Sequence, residues 1–274
     1  MLKRIRQSLR IGVARDSLTL VRVDRWRGQA LSVLAEMPLT EHDIDSPERL
    51  LVAARQLMAD SGCAGMAATL VLADELVRLW QVTPPQGATR MADLEAAAAL
   101  RFQSLYGATL ADWTMVADWN ASAPFYAAAL PRAMLDAFET LAREERFTFI
   151  DIAPQCLHAW NSWRRAIAPG AWFALVHGPL LTLATCDGKR LGALRSVPLA
   201  PAADLAWLHA QVEREALRLN LPAPTLVQAC GQVPASWTDD GAHGQFECVR
   251  LDGARRGMAT LSRGALLAQT GVAA

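Results

Sequence analysis

The chain is 274 residues long, 52% of them apolar and 20% charged, with 27 lysines and arginines against 27 aspartates and glutamates. That composition excludes a disordered chain, and the balanced charge leaves no overall field to gather a polyanion, which excludes nucleic acid as the primary partner. No apolar run reaches the roughly 18 residues that span a bilayer, and the start has neither the apolar core nor the cleavage site of a signal peptide, so the protein is expected in the cytoplasm.

Lys3, Arg4, Arg6 and Arg10 interleave with Leu2, Ile5 and Leu9 at the amino terminus. So short a segment offers little apolar area for a membrane surface, and it is read as a solvated lead into the first strand. Residues 11–39 then have the pattern of a three-strand meander. Its first strand holds Ile11-Gly12-Val13, a tight turn leads to a second at residues 18–24, and a turn at Arg27-Gly28 leads to a third ending at Pro38-Leu39. An amphipathic helix follows, with Ser46 as cap, Pro47 in the first turn, and Leu50, Leu51, Ala54, Leu57 and Met58 on one stripe.

The next block has its own pattern. Residues 77–82 alternate as a strand does, and Leu94, Ala98, Phe102 and Leu105 line one face of a helix. Strands fit residues 112–118 and 125–130, and the helix after Pro131 turns Met134, Leu135, Phe138, Leu141 and Ala142 to one side. This βαββα block reads as an inserted subdomain. A strand at residues 147–152 returns to the first half and a helix follows from 154 to about 166.

The meander then recurs. Ala174-Leu175-Val176, the turn His177-Gly178-Pro179, and Leu181-Thr182-Leu183 match the first strand, first turn and Leu18-Thr19-Leu20 of the earlier copy. A hairpin turn at Asp187-Gly188 leads to a third strand that also ends in Pro-Leu, at Pro198-Leu199. Leu205, Leu208, Val212 and Leu219 stripe the helix after it, which Pro222 and Pro224 stop. The expected organisation is a first half at residues 1–85 with 146–168, an insertion at 86–145, and a second half with a closing helix at 169–274.

Little local chemistry is offered. Five cysteines, Cys63, Cys156, Cys186, Cys230 and Cys248, are far apart and read as reduced, mostly packed thiols. His42, His158, His177, His209 and His243 lack ligand spacing, so no metal is implied. Cys156 and His158, two residues apart on a helix, face different ways and make a poor nucleophile–base pair. Asp43 with Asp45 and Asp239 with Asp240 stand in turn-like stretches where aspartate caps helices or shapes turns. Most of the nine tryptophans read as core or rim residues.

Two meanders, each followed by a helix, with an insertion in the first, resemble the actin-like ATPase (ribonuclease H-like) architecture. Within it the chain resembles the PilM family of type IV pilus assembly proteins and its shorter HofM-type relatives. The likeness is carried by Val13-Ala14-Arg15-Asp16-Ser17 at the family's D-x-G-S turn and by Leu94-Glu95-Ala96 with Arg101-Phe102-Gln103-Ser104 on the helix entering the insertion. Ile150-Asp151-Ile152-Ala153-Pro154 and the closing Met258-Ala259-Thr260-Leu261-Ser262-Arg263-Gly264 extend it. The cytoplasmic part of the type II secretion component GspL is the next relative, but that family continues into a membrane helix, which this sequence lacks. The second half looks trimmed, with no subdomain between Leu199 and the helix beginning near Ala203.

The resemblance implies a nucleotide held between halves, with the first turn of each meander wrapping phosphates through backbone N–H groups. Such a turn uses glycine for close approach and positive φ, and an aspartate to orient Mg²⁺ through water. Here Ala14 stands at the aspartate's place and Asp16 at the glycine's, with Arg15 between them and Ser17 after. In the second turn the family's D-I-G-A-G run is reduced to His177-Gly178-Pro179, and the glycine pair that receives adenine to Cys230-Gly231. Losing a few charge-assisted contacts of about 1.5–3 kcal/mol each removes most of a micromolar affinity of roughly 8 kcal/mol.

No cofactor is therefore expected, and the chain reads as a cytoplasmic pseudo-ATPase scaffold. The resemblance implies that it binds the short cytoplasmic tail of a PilN-like inner-membrane protein in a groove between the first half and the insertion, meeting the membrane only through that partner. Arg101, Phe102, Tyr106 and Trp113 are the groove candidates. One alternative is a divergent ATPase or sugar-kinase-like enzyme using Arg15, Asp16 and His177; others are a GspL-like secretion component and a polymer-forming subunit.

Overall fold

Strand β1 (Gln7–Val13) buries Leu9, Ile11 and Val13 on one face, the alternation that the sequence shows from Leu9 onward. In the computed structural model the described residues are 7–24, 30–59, 61–188, 190–238, 242–253 and 261–272. Lys3, Arg4 and Arg6, the Arg27-Gly28 turn, Asp239-Asp240 and Met258-Ala259-Thr260 lie outside them. Arg10, counted above with the basic start, stands on the other face of β1 and is only 8% exposed. Burial lowers its guanidinium to about 10, against the attraction of Asp151.

The chain divides into two units, residues 1–154 and 155–274. In the first, β1, β2 (Ser17–Asp24) and β3 (Ala30–Pro38) form the antiparallel meander. A short α1 (Glu41–Asp45) leads to α2 (Pro47–Met58), where the Ser46 hydroxyl accepts from the Arg49 N–H at 3.4 Å. Next in order are β4 (Ala67–Leu72), β5 (Arg78–Val82), α3 (Met91–Tyr106), β6 (Trp113–Ala117), β7 (Phe125–Pro131), α4 (Arg132–Glu145) and β8 (Thr148–Pro154). Strand β4 runs parallel to β1 and β8 parallel to β4, giving a five-stranded sheet β3-β2-β1-β4-β8.

The insertion has other bounds than the 86–145 expected. Its antiparallel sheet, ordered β5-β7-β6, takes a strand from residues 78–82, and its core is Trp80, Val82, Leu94, Ala98, Phe102, Phe125, Ala127 and Ala129. Helix α4 instead places Met134, Phe138, Leu141 and Ala142 in the core of the five-stranded sheet beside Leu50, Leu57 and Met58 of α2, and Arg55 meets Glu144 across the two helices at 2.7 Å. The apolar stripe of α4 fixes which face is buried but not the sheet it covers.

The second unit opens with α5 (Gln155–Trp163), grouped above with the first half. Then come β9 (Trp172–His177), β10 (Leu180–Asp187), β11 (Arg190–Pro198), α6 (Leu205–Leu219), β12 (Leu226–Gly231), β13 (Ala242–His243), β14 (Phe246–Arg250) and α7 (Arg263–Gln269). The sheet order is β11-β10-β9-β12-β14-β13. Its first five strands repeat the order and directions of the other sheet: an antiparallel meander, then two parallel strands.

The repeat extends to individual bonds. Leu39 donates its N–H to the Asp16 carbonyl at 2.9 Å, and Leu199 donates to that of Pro179 at 2.7 Å. Ala73 N–H reaches Val13 O at 2.8 Å, and Gln232 N–H reaches Val176 O at 2.9 Å. Among the described residues no helix is long and apolar enough to cross a membrane.

Candidate functional site

The first turn, Ala14-Arg15-Asp16-Ser17, closes with the Ala14 N–H donating to the Ser17 carbonyl at 2.9 Å. Arg15 and Asp16 are exposed, and neither has a positive φ; the non-glycine residues described that do are Arg146 and Asn220. The backbone therefore lacks the left-handed residue of an anion-cradling nest. Arg15 also donates its N–H to Glu75 Oε1 at 3.2 Å, so a carboxylate of the chain itself sits at this amide.

In the second unit His177-Gly178-Pro179 occupies the same register: Val176 pairs with Gly231 on β12 as Val13 pairs with Leu72 on β4. Gly178 stands at the place of Arg15, at φ +54°, and donates its N–H to Gln232 Oε1 at 2.8 Å. A Cβ here would stand 3.1 Å from the Arg263 guanidinium. The two equivalent N–H groups are thus both met by side-chain oxygens from residues just past the adjacent parallel strand.

Gly231 has φ +89°, and a Cβ on it would fall 2.2 Å from Val176 O, so the close approach of β12 to β9 requires glycine. Its N–H donates to the buried Asp252 Oδ2 at 3.0 Å, while Arg250 donates from Nε to Asp252 Oδ1 at 2.7 Å and from Nη2 to Gly231 O at 3.1 Å. Beside these groups is a cavity of about 40 Å³, lined among others by Gln155, His177, Asp252 and Gln269. Gln155 is 2% exposed; its Nε2 donates to Thr270 Oγ1 at 3.1 Å and its Oε1 has no hydrogen-bond partner among the described residues. The space suits about one ordered water.

The first unit carries a larger groove, about 190 Å³, lined by apolar groups that include Leu72, Val77, Val116, Leu130, Leu135 and Ile152. Its walls include β6, an edge of the inserted sheet, and β8, an edge of the five-stranded sheet, with Thr114 and Glu139 as polar members of the lining. Val116 is 62% exposed and Ile150 on β8 is 61% exposed.

No protein-family model matches the chain, and no curated protein does. Solved structures do. The cytoplasmic domain of EpsL, an inner-membrane component of the type II secretion system of Vibrio cholerae, is similar at a TM-score of 0.58 and 14% identity, over 96% of this chain and 94% of that one. A Bacteroides thetaiotaomicron protein with an actin-like ATPase fold is similar at 0.58 and 10% identity, over 85% of each chain. A PilM-PilN type IV pilus biogenesis complex is similar at 0.57 and 15% identity, over 84% of this chain and 82% of that one.

The fold is actin-like.

In this actin-like chain the partner candidates are placed differently from expectation. Phe102 is fully buried, with its ring centroid 5.0 Å from Tyr106, 5.1 Å from Trp80 and 5.5 Å from Trp113, because α3 closes over the inserted sheet through these aromatics. Arg78 caps the cluster, 5.5 Å from the Tyr106 ring centroid and 5.7 Å from that of Trp113. Tyr106 donates its hydroxyl to Leu79 O at 3.2 Å, and burial raises its pKa, partly opposed by Arg78. Arg101 is exposed next along α3. Phe102 lies in the core of the inserted sheet with Trp113 partly buried against it, Tyr106 stays exposed at the edge of the cluster, and none of the four candidates lines the groove beside β6 and β8. Sequence reasoning missed Glu75, Gln232 and Asp252; their one local signal is position, each just past the end of a parallel strand.

Among the described residues no group of three or more His, Cys, Asp or Glu is gathered to hold a metal ion. Burial pushes the Cys186 thiol up to about 11 and that of Cys248 to about 12, which leaves both as thiols at neutral pH.

Proposed function

We propose that this chain is a non-catalytic scaffold of type IV pilus assembly or a related secretion system, acting at the inner face of the inner membrane by binding the cytoplasmic tail of a membrane partner. The observation that carries the reading is the engagement of the two equivalent turn amides, Arg15 N–H by Glu75 and Gly178 N–H by Gln232. A phosphate would have to displace a carboxylate at the first and an amide oxygen at the second before gaining a contact. The likenesses to a PilM-PilN complex and to the EpsL cytoplasmic domain support the assignment to such machinery. The EpsL likeness extends over more of both chains, which favours type II secretion as the second reading.

The groove between β6 and β8 is the site proposed for the tail. Both strands are sheet edges with backbone groups available to an added strand, and the apolar floor accepts alternate side chains. Calorimetric titration of the whole chain with Mg-ATP is expected to give no saturable heat at micromolar nucleotide, and a low-micromolar Kd sinks the non-catalytic reading. For the groove, Val116→Asp changes an exposed residue and should leave the melting temperature in place. A pull-down from solubilised inner membrane should lose a single-pass protein that the wild-type chain retains. Equal recovery by both chains removes the groove from the proposal.

A further inference from the structure

The second unit has a groove of about 530 Å³ between β11 and α6, unrelated to either turn. Strand β11 is the outer strand of its sheet. Facing it, Trp207, Gln211, Arg214 and Arg218 recur on α6 at intervals of four, three and four residues, which aligns them along one side of the helix. The connection from Pro198 to α6 is short and inserts no subdomain of its own over this edge. From Trp207 to Arg218 the wall runs for about 16 Å, the length of about five residues of extended chain.

The charge of the groove is one-sided. Arg195 comes from β11, Arg214 and Arg218 from α6, and the single carboxylate among them is Glu215, which is 9% exposed. Glu215 Oε2 holds Arg218 at 2.9 Å and Arg195 at 3.4 Å, fixing a guanidinium on each wall. Arg214 is exposed and no carboxylate of the described residues engages it. At the far end Trp207 stacks on the buried Trp237, ring centroids 6.4 Å apart, and Trp237 is itself held by its indole N–H donating to Ala203 O at 3.0 Å.

We propose that this groove binds an acidic peptide segment in extended conformation, added to the sheet as a strand beside β11. An open sheet edge flanked by a helix offers backbone pairing on one side and side-chain selection on the other. Three arginines against one glutamate select carboxylates, and the Trp207 face takes an apolar side chain. The place equivalent to it in the first unit, between β3 and α2, is lined instead by Asp43, Glu48 and Arg49 and lacks this basic character. The inference is independent of the pilus or secretion reading, because its site lies in the second unit and its test uses no membrane partner.

The test is fluorescence anisotropy of the whole chain with a fluorescein-labelled octapeptide of alternating glutamate and threonine. The comparison peptides replace glutamate by lysine, or carry N-methyl groups on one or the other alternate set of backbone amides. Saturable binding of the glutamate peptide is expected, with none of the lysine peptide. Arg214→Glu should weaken binding about tenfold or more and Arg214→Gln less, both with an unchanged melting temperature, because charge reversal repels what neutralisation merely releases. One of the two methylated peptides should lose binding, since only one set of amides faces β11. Absence of saturable binding overturns the proposal, as does undiminished binding by the Arg214→Glu chain or by both methylated peptides.

Discussion

The turn between β1 and β2 and the turn between β9 and β10 stand at the same point of the same strand order, and their second residues, Arg15 and Gly178, present equivalent backbone amides. Each amide is engaged, but by different chemistry. The first turn has no positive φ and its amide meets an incompletely buried carboxylate, Glu75; the second keeps a left-handed glycine and its amide meets the neutral Gln232, beside a buried carboxylate that takes the amide of Gly231. The first turn is thus closed at the surface. The second is tied into packed structure, so changes of similar chemical size should cost far more there.

The largest separation is expected between two glycines of the second unit. In Gly231→Ala the new methyl would meet a backbone carbonyl at 2.2 Å and the residue would keep φ +89°, so β12 must move from β9. A loss of about 3 kcal/mol or more is expected from the left-handed backbone and overpacking together. In Gly178→Ala the three atoms nearest the methyl would all belong to the end of the Arg263 side chain, the closest at 3.1 Å, and the cost should stay near the 1–2 kcal/mol of a left-handed alanine. Urea unfolding measures both. Equal losses would mean that Gly231 is set by its φ alone and not by the approach of the strands.

What the sequence made legible is what short-range pattern carries. The alternation of Leu9, Ile11 and Val13, the Ser46-Pro47 helix start and the Pro-Leu ends of β3 and β11 are each contained within a few residues, and the observed elements follow them. Of the stripe Leu94, Ala98, Phe102 and Leu105, the first three identified a buried face of α3, while Leu105 near its end is exposed. The pattern did not say that the same stripe would bury Phe102 under its aromatic neighbours and withdraw it from any partner, because burial is read from period and its counterpart is not. The acceptors at the turns were beyond such reading altogether. Glu75 lies 60 residues from Arg15 and Gln232 lies 54 from Gly178, and each pair is joined only once a parallel strand is placed beside the meander. The α6 wall of the second unit's groove, Trp207 to Arg218, escaped a reading that named only the apolar stripe of that helix, and its arginines gain meaning only beside the outer strand β11.

The smaller separation concerns the carboxylates, and it bears directly on why the two turns differ. Asp252→Ala removes a buried acceptor from the Gly231 N–H and from Arg250, leaving an amide without its charged partner next to the strand approach. Charge-assisted bonds of this kind place the cost at about 2–3 kcal/mol. Glu75→Ala removes an acceptor at 3.2 Å from an exposed turn, where water replaces it, and the expected change is below about 0.5 kcal/mol. Paired urea titrations with amide exchange at Arg15 and Gly231 report both effects: Gly231 should lose protection with Asp252→Ala, while Arg15 exchanges faster with Glu75→Ala at nearly constant stability. If Glu75→Ala instead costs as much as Asp252→Ala, the first turn is held by its carboxylate as firmly as the second unit is by Asp252, and the contrast between a surface closure and a packed one fails.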